Sequence, residues 1–285
     1  MRLNLDCIPC FQRQALQAVR LISKDARLHE QVLREVLKML SNLLWDSTPP
    51  EMAHEVHKIV RSLTQEEDPY RKVKQESNDL VLKMYPEAKR KVERSKDPLR
   101  TAVKFAIAGN IIDYGALREF NLKETIKEVF KKKFAIDDYE KFRENLADAK
   151  KLLFFTDNAG EIGFDKLLVE TMLEEKRFEK VRFVVKGGPI INDATFEDAI
   201  YMSLGALPNV EFLTVSNGEV GTGPDRNSLT VKGWVEQHDL VISKGQGNYE
   251  SLSEYNGIFF MLMAKCPLIA SDIGVDKKGV ILRYR

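Results

Sequence analysis

From residue 151 onward the chain repeats one event: a short apolar run, a small polar loop holding glycine, then an amphipathic stretch. Residues 151–156 run into Asp157-Asn158-Ala159-Gly160-Glu161-Ile162-Gly163, and helical spacing follows from about residue 164 to 175. Residues 181–185 lead into Gly187-Gly188-Pro189 and a helix near 194–204, and residues 210–215 and 240–243 supply two more strands. Residues 258–263 fit a strand or a helix end, and 268–270 and 280–284 are short strand candidates. Strands alternating with helices at this spacing predict a parallel, doubly wound sheet, an α/β fold. Such a sheet takes its ligand beyond the carboxyl ends of its strands.

The first 150 residues carry a different pattern. Phe11, Ala15, Leu16, Val19 and Ile22 fall three or four apart in a helix opening at Pro9, and a second helix covers residues 28–44. Thr48-Pro49-Pro50-Glu51 is a helix start: an N-cap hydroxyl, proline in the first turn, then an early acid. Asp68-Pro69 and Asp97-Pro98 repeat the signal, opening helices at about 69–84 and 98–110, and stretches near 123–132 and 138–150 follow. The expectation is an all-α domain over residues 1–150, forming a lid or wall of the site, and an α/β domain over 151–285 carrying its chemistry. Phe105, Ile107 and Ile111 form the face that docks the first on the second. Trp45 and Trp234, both in apolar contexts, are expected in the core.

Forty-four basic residues against 43 acidic ones leave a formal charge of +1, which argues against binding nucleic acid through the overall field. The basic run at 89–96 is interleaved with acids and fits a solvated helix face. Three cysteines are too few for a secreted disulfide scaffold, and no apolar run reaches the ~20 residues of a membrane span. A soluble, cytoplasmic protein with no membrane partner is expected. The sequence leaves the oligomeric state open.

Four strand ends deliver small residues together with Asp, Asn, Glu or Lys: 156–163, 186–193, 216–223 and 243–250. Asp157, Asn158 and Asp193 are hard oxygen donors of the kind that hold Mg²⁺ or Mn²⁺ with water or phosphate filling the remaining positions. Glycines such as Gly160 let backbone N–H groups approach an anion, and Lys244 can meet a phosphate oxygen as a point charge. The plainer alternative is that the acids cap the following helices and the glycines serve turns. A dinucleotide turn needs G-x-G-x-x-G, and only Gly160 and Gly163 are present, with Asp157 in the leading position. Ala159 stands where a methyl-donor site of the D-x-G-x-G type has its first glycine, and where an aspartyl-phosphate phosphatase has its second Asp.

Asp157-Asn158-Ala159-Gly160-Glu161, Asn192-Asp193 and Lys244-Gly245-Gln246-Gly247-Asn248 resemble the motifs of the metal-dependent damage-control phosphatases, the domain-of-unknown-function-89 family. Gly109-Asn110-Ile111-Ile112-Asp113 and the opening Asp6-Cys7-Ile8-Pro9-Cys10 are similar too, the CxxC being the mark of the mainly prokaryotic first subfamily. The resemblance implies a helical domain packed on a Rossmann-like, mainly parallel α/β domain. It also implies hydrolysis of phosphate from small metabolites such as sugar phosphates or damaged nucleotides and cofactor fragments, with a divalent ion (Mn²⁺, Ni²⁺, Co²⁺ or Mg²⁺). Carried over, the metal ligands are Asp157, Asn158 and Asp193, and Lys244 contacts phosphate, while Asn110, Asp113 and Asn248 line the site. Glu161 or Asp113 would orient the attacking water, though Glu161 can equally cap its helix. Attack by Asp157 itself is disfavoured, because a carboxylate committed to metal is a poorer nucleophile. Two other readings stay open: an S-adenosylmethionine-dependent carboxyl methyltransferase, and a non-enzymatic phosphometabolite-binding protein.

Cys7 and Cys10 form half of a zinc site, a redox pair or two packed thiols. Cys266 is the remaining thiol, and His54 and His57 are the nearest imidazole pair, expected on a helix surface. His29 and His238 have no partners discernible in the sequence.

Overall fold

The computed structural model describes residues 2–110, 119–216 and 228–285. Helices α1 (Cys7–Ile22), α2 (Ala26–Ser41) and α3 (Pro49–Thr64) come first. Each turns one apolar stripe inward: Phe11, Ala15 and Val19 from α1, Val32 and Val36 from α2, Val56 and Val60 from α3 build a core of their own. The start of α3 follows its sequence signal, with Thr48 N–H donating to Glu51 Oε2 at 2.7 Å and Pro49 in the first turn. Trp45 corrects an expectation: it is 48% exposed, because smaller side chains already fill this core. His54 and His57 correct another. Both are buried, since they share the inward stripe of α3. His57 meets the Tyr70 ring edge-on, and burial holds its pKa down at about 3, so the imidazole is neutral.

Next come α4 (Arg71–Glu93), α5 (Pro98–Gly109), α6 (Glu119–Lys131), β1 (Phe134–Asp137) and α7 (Tyr139–Asp148). β1 corrects the all-helical reading of residues 1–150: its four residues pair in parallel with a strand near the other end of the chain. A run of four between charged helices is too short to show alternation. The rest of the fold is β2 (Lys151–Phe155), α8 (Glu161–Glu175), β3 (Lys180–Lys186), α9 (Phe196–Tyr201), β4 (Val210–Val215), α10 (Leu229–Glu236), β5 (Leu240–Lys244), α11 (Gln246–Leu252), β6 (Ile258–Met263), α12 (Pro267–Ile273) and β7 (Val280–Tyr284). Residues 268–270, expected as a strand, lie inside α12, which starts at a proline and stops at Gly274 in the left-handed region.

The sheet runs β1-β7-β6-β5-β2-β3-β4, parallel throughout except between β6 and β7. β2, β3 and β4 walk to one edge, and β5 returns to the far side of β2. That reversal is the topological switch at which doubly wound sheets bind ligands. Leu152, Phe154 and Ile242 pack on one face with α4, α5, α7 and α8, while Leu153, Phe155 and Val241 pack on the other with α10, α11 and α12. The N-terminal half is thus split between two cores, α1–α3 in their own and α4–α7 in that of the sheet. Among the described residues no helix is long and apolar enough to cross a membrane.

Candidate active site

The first turn of the sheet carries the densest polar network. β2 ends one residue before Thr156, and α8 begins at Glu161, three residues earlier than its periodicity indicates. This start places Glu161 and Asp165 one helical turn apart on the same face. Between them and β5 sits Lys244, fully buried, whose Nζ donates to Glu161 Oε1 (2.6 Å), Asp165 Oδ1 (2.6 Å) and the Ala106 carbonyl of α5 (2.8 Å). Burial opposes the charge on Lys244, but Asp165 and Glu161 outweigh it and hold the ammonium above its usual range. Burial pushes the Asp165 carboxyl up to about 7 against the pull of Lys244.

Two asparagines connect this node to Asp157. Asn110, at the end of α5, donates from Nδ2 to Asp157 Oδ2 (2.6 Å) and to Glu161 Oε2 (3.1 Å), and its Oδ1 accepts from Met263 N–H. Asn158 donates from Nδ2 to the same Asp157 oxygen (2.7 Å) and to Glu161 Oε2 (3.0 Å). Both amide donors therefore go to Oδ2 of Asp157. Gly245 makes the approach of β5 feasible: it sits at φ +80°, and a Cβ there would collide with the Asp157 carboxylate.

The loop after β3 brings in Asp193. Ala159 N–H donates to Asn192 O (2.9 Å) and Ala194 N–H to Asp157 O (2.8 Å), so Asn158 and Asp193 lie opposite one another in a two-residue bridge. Lys186, the last residue of β3, reaches Asp193 at 3.4 Å. Burial first, then Glu161 and Asp193, push the Asp157 carboxyl well above its usual range, with Lys265 and Lys186 pulling the other way. Burial raises Asp193 as well, against Lys186. Four carboxyl groups here face the ammonium groups of Lys186 and Lys244, with that of Lys265 acting on Asp157 from the cavity wall. That acidic excess, with two carboxylates and an amide oxygen at the open end, suits a hard divalent cation and disfavours a bare anion.

A cavity of about 800 Å³ opens above Asp157, Asn158, Asp193, Lys186, Asn110 and Asn248. Its opposite wall comes from α1 and α3, through residues such as Phe11, Gln14, Pro49 and His54. Three residues named from the sequence take other roles. Lys244, expected to contact phosphate, has its donors on two carboxylates and a carbonyl beneath the cavity floor and does not line the cavity. Glu161 is equally enclosed, so it braces the site and has no access to attacking water. Gly160 gives its N–H to Asn78 Oδ1 (2.6 Å), and a Cβ at its φ of +76° would press on Ser77, so this glycine serves the packing of α8 on α4. Asn248 lines the cavity while its Nδ2 ties Thr156 O to Lys244 O, both at 2.8 Å. Asp113 and residues 217–223 of the third loop lie outside the described residues.

Sequence reasoning passed over Asp165, Lys186 and Asn78. A helix begun at Glu161 would have flagged Asp165 by its i+4 spacing. Asn78, on α4, carried no local signal: it grips Gly160 with its carbonyl and Asp198 with its amide (2.8 Å), where Lys74 also pairs (2.7 Å). Cys7, Cys10 and Cys266 are free thiols in the cavity wall, and burial pushes the Cys7 and Cys10 thiols up, toward the protonated form. Among the described residues no three His, Cys, Asp or Glu side chains gather to hold a metal, so nothing completes a zinc site around the CxxC pair. His29 bonds the Ser23 carbonyl at 2.8 Å and His238 that of Trp234 at 2.5 Å, which supplies the partners their sequence context did not reveal.

A Rossmann-like sheet with an oxygen-lined acidic cavity at its switch point, walled by a separate helical core, defines an α/β protein with one cavity shared by two cores. Residues 3–281 match the Damage-control phosphatase ARMT1-like domain. The chain is 36% identical to a damage-control phosphatase of Archaeoglobus fulgidus over 291 residues, covering 99% of each, and 32% identical to one of Pyrococcus horikoshii over 289 residues, covering 99% and 97%. The crystal structure of a DUF89 family protein from Pyrococcus horikoshii has a TM-score of 0.88 to it at 31% identity, covering 100% of this chain and 99% of that one. The chain belongs to the ARMT1-like damage-control phosphatase family and is a phosphatase.

Proposed function

We propose that this phosphatase binds one divalent cation through Asp157, Asn158 and Asp193 and removes phosphate from small phosphorylated metabolites of sugar-phosphate or nucleotide-fragment size. The observation that carries the reading is the excess of carboxylate at the switch point, placed at the floor of a cavity that also holds Lys186. Oxygen donors of this kind accept Mn²⁺, Mg²⁺, Co²⁺ or Ni²⁺. A cation held there would supply Lewis acidity toward a phosphoryl oxygen and toward bound water. Asn110 and Asn158 fix Asp157 through Oδ2, which reserves Oδ1 for the ion. Lys186, not Lys244, supplies the ammonium that meets the phosphoryl group; its pairing with Asp193 aims it at the floor. Catalysis of phosphoryl transfer depends mostly on such positioning and charge balance. The walls from α1 and α3 exclude water and select the leaving group.

The test is phosphate release from p-nitrophenyl phosphate and a panel of sugar phosphates and nucleotides, with each metal and with chelator. Metal-dependent release that disappears in Asp157→Ala and Asp193→Ala, with circular dichroism unchanged, is the expected result. Release unaffected by chelator, or retained in both variants, would refute the ligand assignment. No observation favours methyl-donor chemistry, since the first turn presents Ala159 where a D-x-G-x-G site has its first glycine.

A further inference from the structure

Ile191 stands in the loop after β3 with φ +48°, the left-handed region that β-branched side chains rarely enter. Something outside the loop must hold it there. Two contacts do, and both come from the three-helix unit. The Ile191 side chain packs on the α1–α3 core beside Leu268, and Arg61 of α3 donates from Nη1 to the Pro189 carbonyl at 3.0 Å.

The reversal at Ile191 has direct consequences for the acidic floor. It allows Asp193 N–H to bond back to Ile190 O (3.0 Å), closing a turn, and it delivers Asn192 O to Ala159 N–H (2.9 Å) and Ala194 N–H to Asp157 O (2.8 Å). Those bonds set Asp193 across from Asn158. We infer that Ile191 and Arg61 are positioning residues: anchored in the α1–α3 core, they hold the loop so that Asp193 faces Asp157 and Asn158. The helical wall of the cavity is then mechanically joined to its floor, so the unit that touches the leaving group also sets the geometry of the residues that meet phosphate. The inference rests on the ligand assignment above for its chemical meaning, but its geometry can be tested without metal.

The decisive variant is Ile191→Gly. Glycine adopts this φ without strain, so if the position serves only a turn, the substitution leaves the loop as firm as before or firmer. If the side chain is an anchor, the loop loosens. Amide hydrogen exchange of the metal-free protein reads this directly. The expected result is faster exchange at Ala159, Asp193 and Ala194 in Ile191→Gly and Arg61→Gln, with amides of α1 and α2 as protected as in the parent and with Ile191→Leu restoring protection. Calorimetric titration with Mn²⁺ should show affinity lower by ~10-fold or more, as for other residues that orient metal ligands. Unchanged exchange at those three amides in both variants would overturn the inference. If the parent binds no divalent ion, the ligand assignment falls, and the exchange result still decides the anchoring. If Ile191→Gly does not fold, Arg61→Gln carries the test by the same amides.

Discussion

Two strands flank β2, and each ends in a lysine that faces carboxylates: Lys186 on β3 and Lys244 on β5. By register they are one residue apart: Lys244 follows the Phe155–Ser243 pair by one residue and Lys186 follows the Phe155–Val184 pair by two, so they point to opposite faces of the sheet. Lys244 is fully enclosed together with Glu161 and Asp165, and its three donors all have acceptors. Lys186 keeps 12% of its side-chain surface, pairs with Asp193 among the described residues, and borders the cavity. What separates them is the face each points to and what covers it. α5 and α8 close over Lys244, whereas Lys186 borders the cavity. Identical side chains at neighbouring strand ends thus differ by face: one is locked into the scaffold beneath the cavity, and the other borders the cavity itself.

Substitution should pull the two apart. Lys244→Ala leaves Glu161 and Asp165 buried without their cation, and breaking a buried pair from one side costs about 3–5 kcal/mol; urea unfolding should show a loss of that order. Lys186→Ala should instead leave unfolding within about 1 kcal/mol of the parent and lower kcat by about 10²–10³, the usual effect of removing one transition-state charge donor. If Lys186→Ala unfolds the protein while Lys244→Ala loses only activity, the roles are reversed and the assignment is wrong.

Smaller effects sharpen the same contrast. Asn78→Ala strips the acceptor from a buried Gly160 N–H and the donor from Asp198, which should cost about 1–3 kcal/mol of stability in the same urea assay. Glu250, on α11 in the cavity wall, has its carboxyl pushed by burial from 4.5 up to about 7. A carboxyl raised on folding holds a proton that the unfolded chain releases. Its contribution is complete below pH 4.5 and is lost as pH rises through 7. Glu250→Gln should remove that slope, gaining on the parent by about 1–2 kcal/mol between pH 5 and pH 8 in urea unfolding. Parallel curves would show that Glu250 is solvated.

The strand ends were readable from the chain because a short apolar run followed by Asp, Asn and Gly has few other uses, and Asp157, Asn158, Asn110 and Asp193 do meet at one place. Lys244 misled because a lysine at a strand end says nothing about what covers it; that depends on Ala106 and Asp165, residues 138 and 79 positions away. Asp165 itself was hidden by a helix start placed three residues late. Asn78 is 82 residues from the Gly160 it supports, and no local pattern announces a bond of that span. The same reason hid β1. Its meaning lies in its partner, and four residues cannot state a period.

That edge strand also bears on how the chain is made. Among the described strands Phe134–Asp137 pairs with β7, and Asp138 accepts from Tyr284 N–H across a separation of 146 residues. As the polypeptide emerges from the ribosome, the helices on either side of β1 can form early, while β1 must wait for nearly the whole Rossmann half to follow. Contacts of such high order slow folding and leave an unpaired strand edge exposed meanwhile. The neighbourhood of β1 is therefore where a nascent chain of this family would most need shielding.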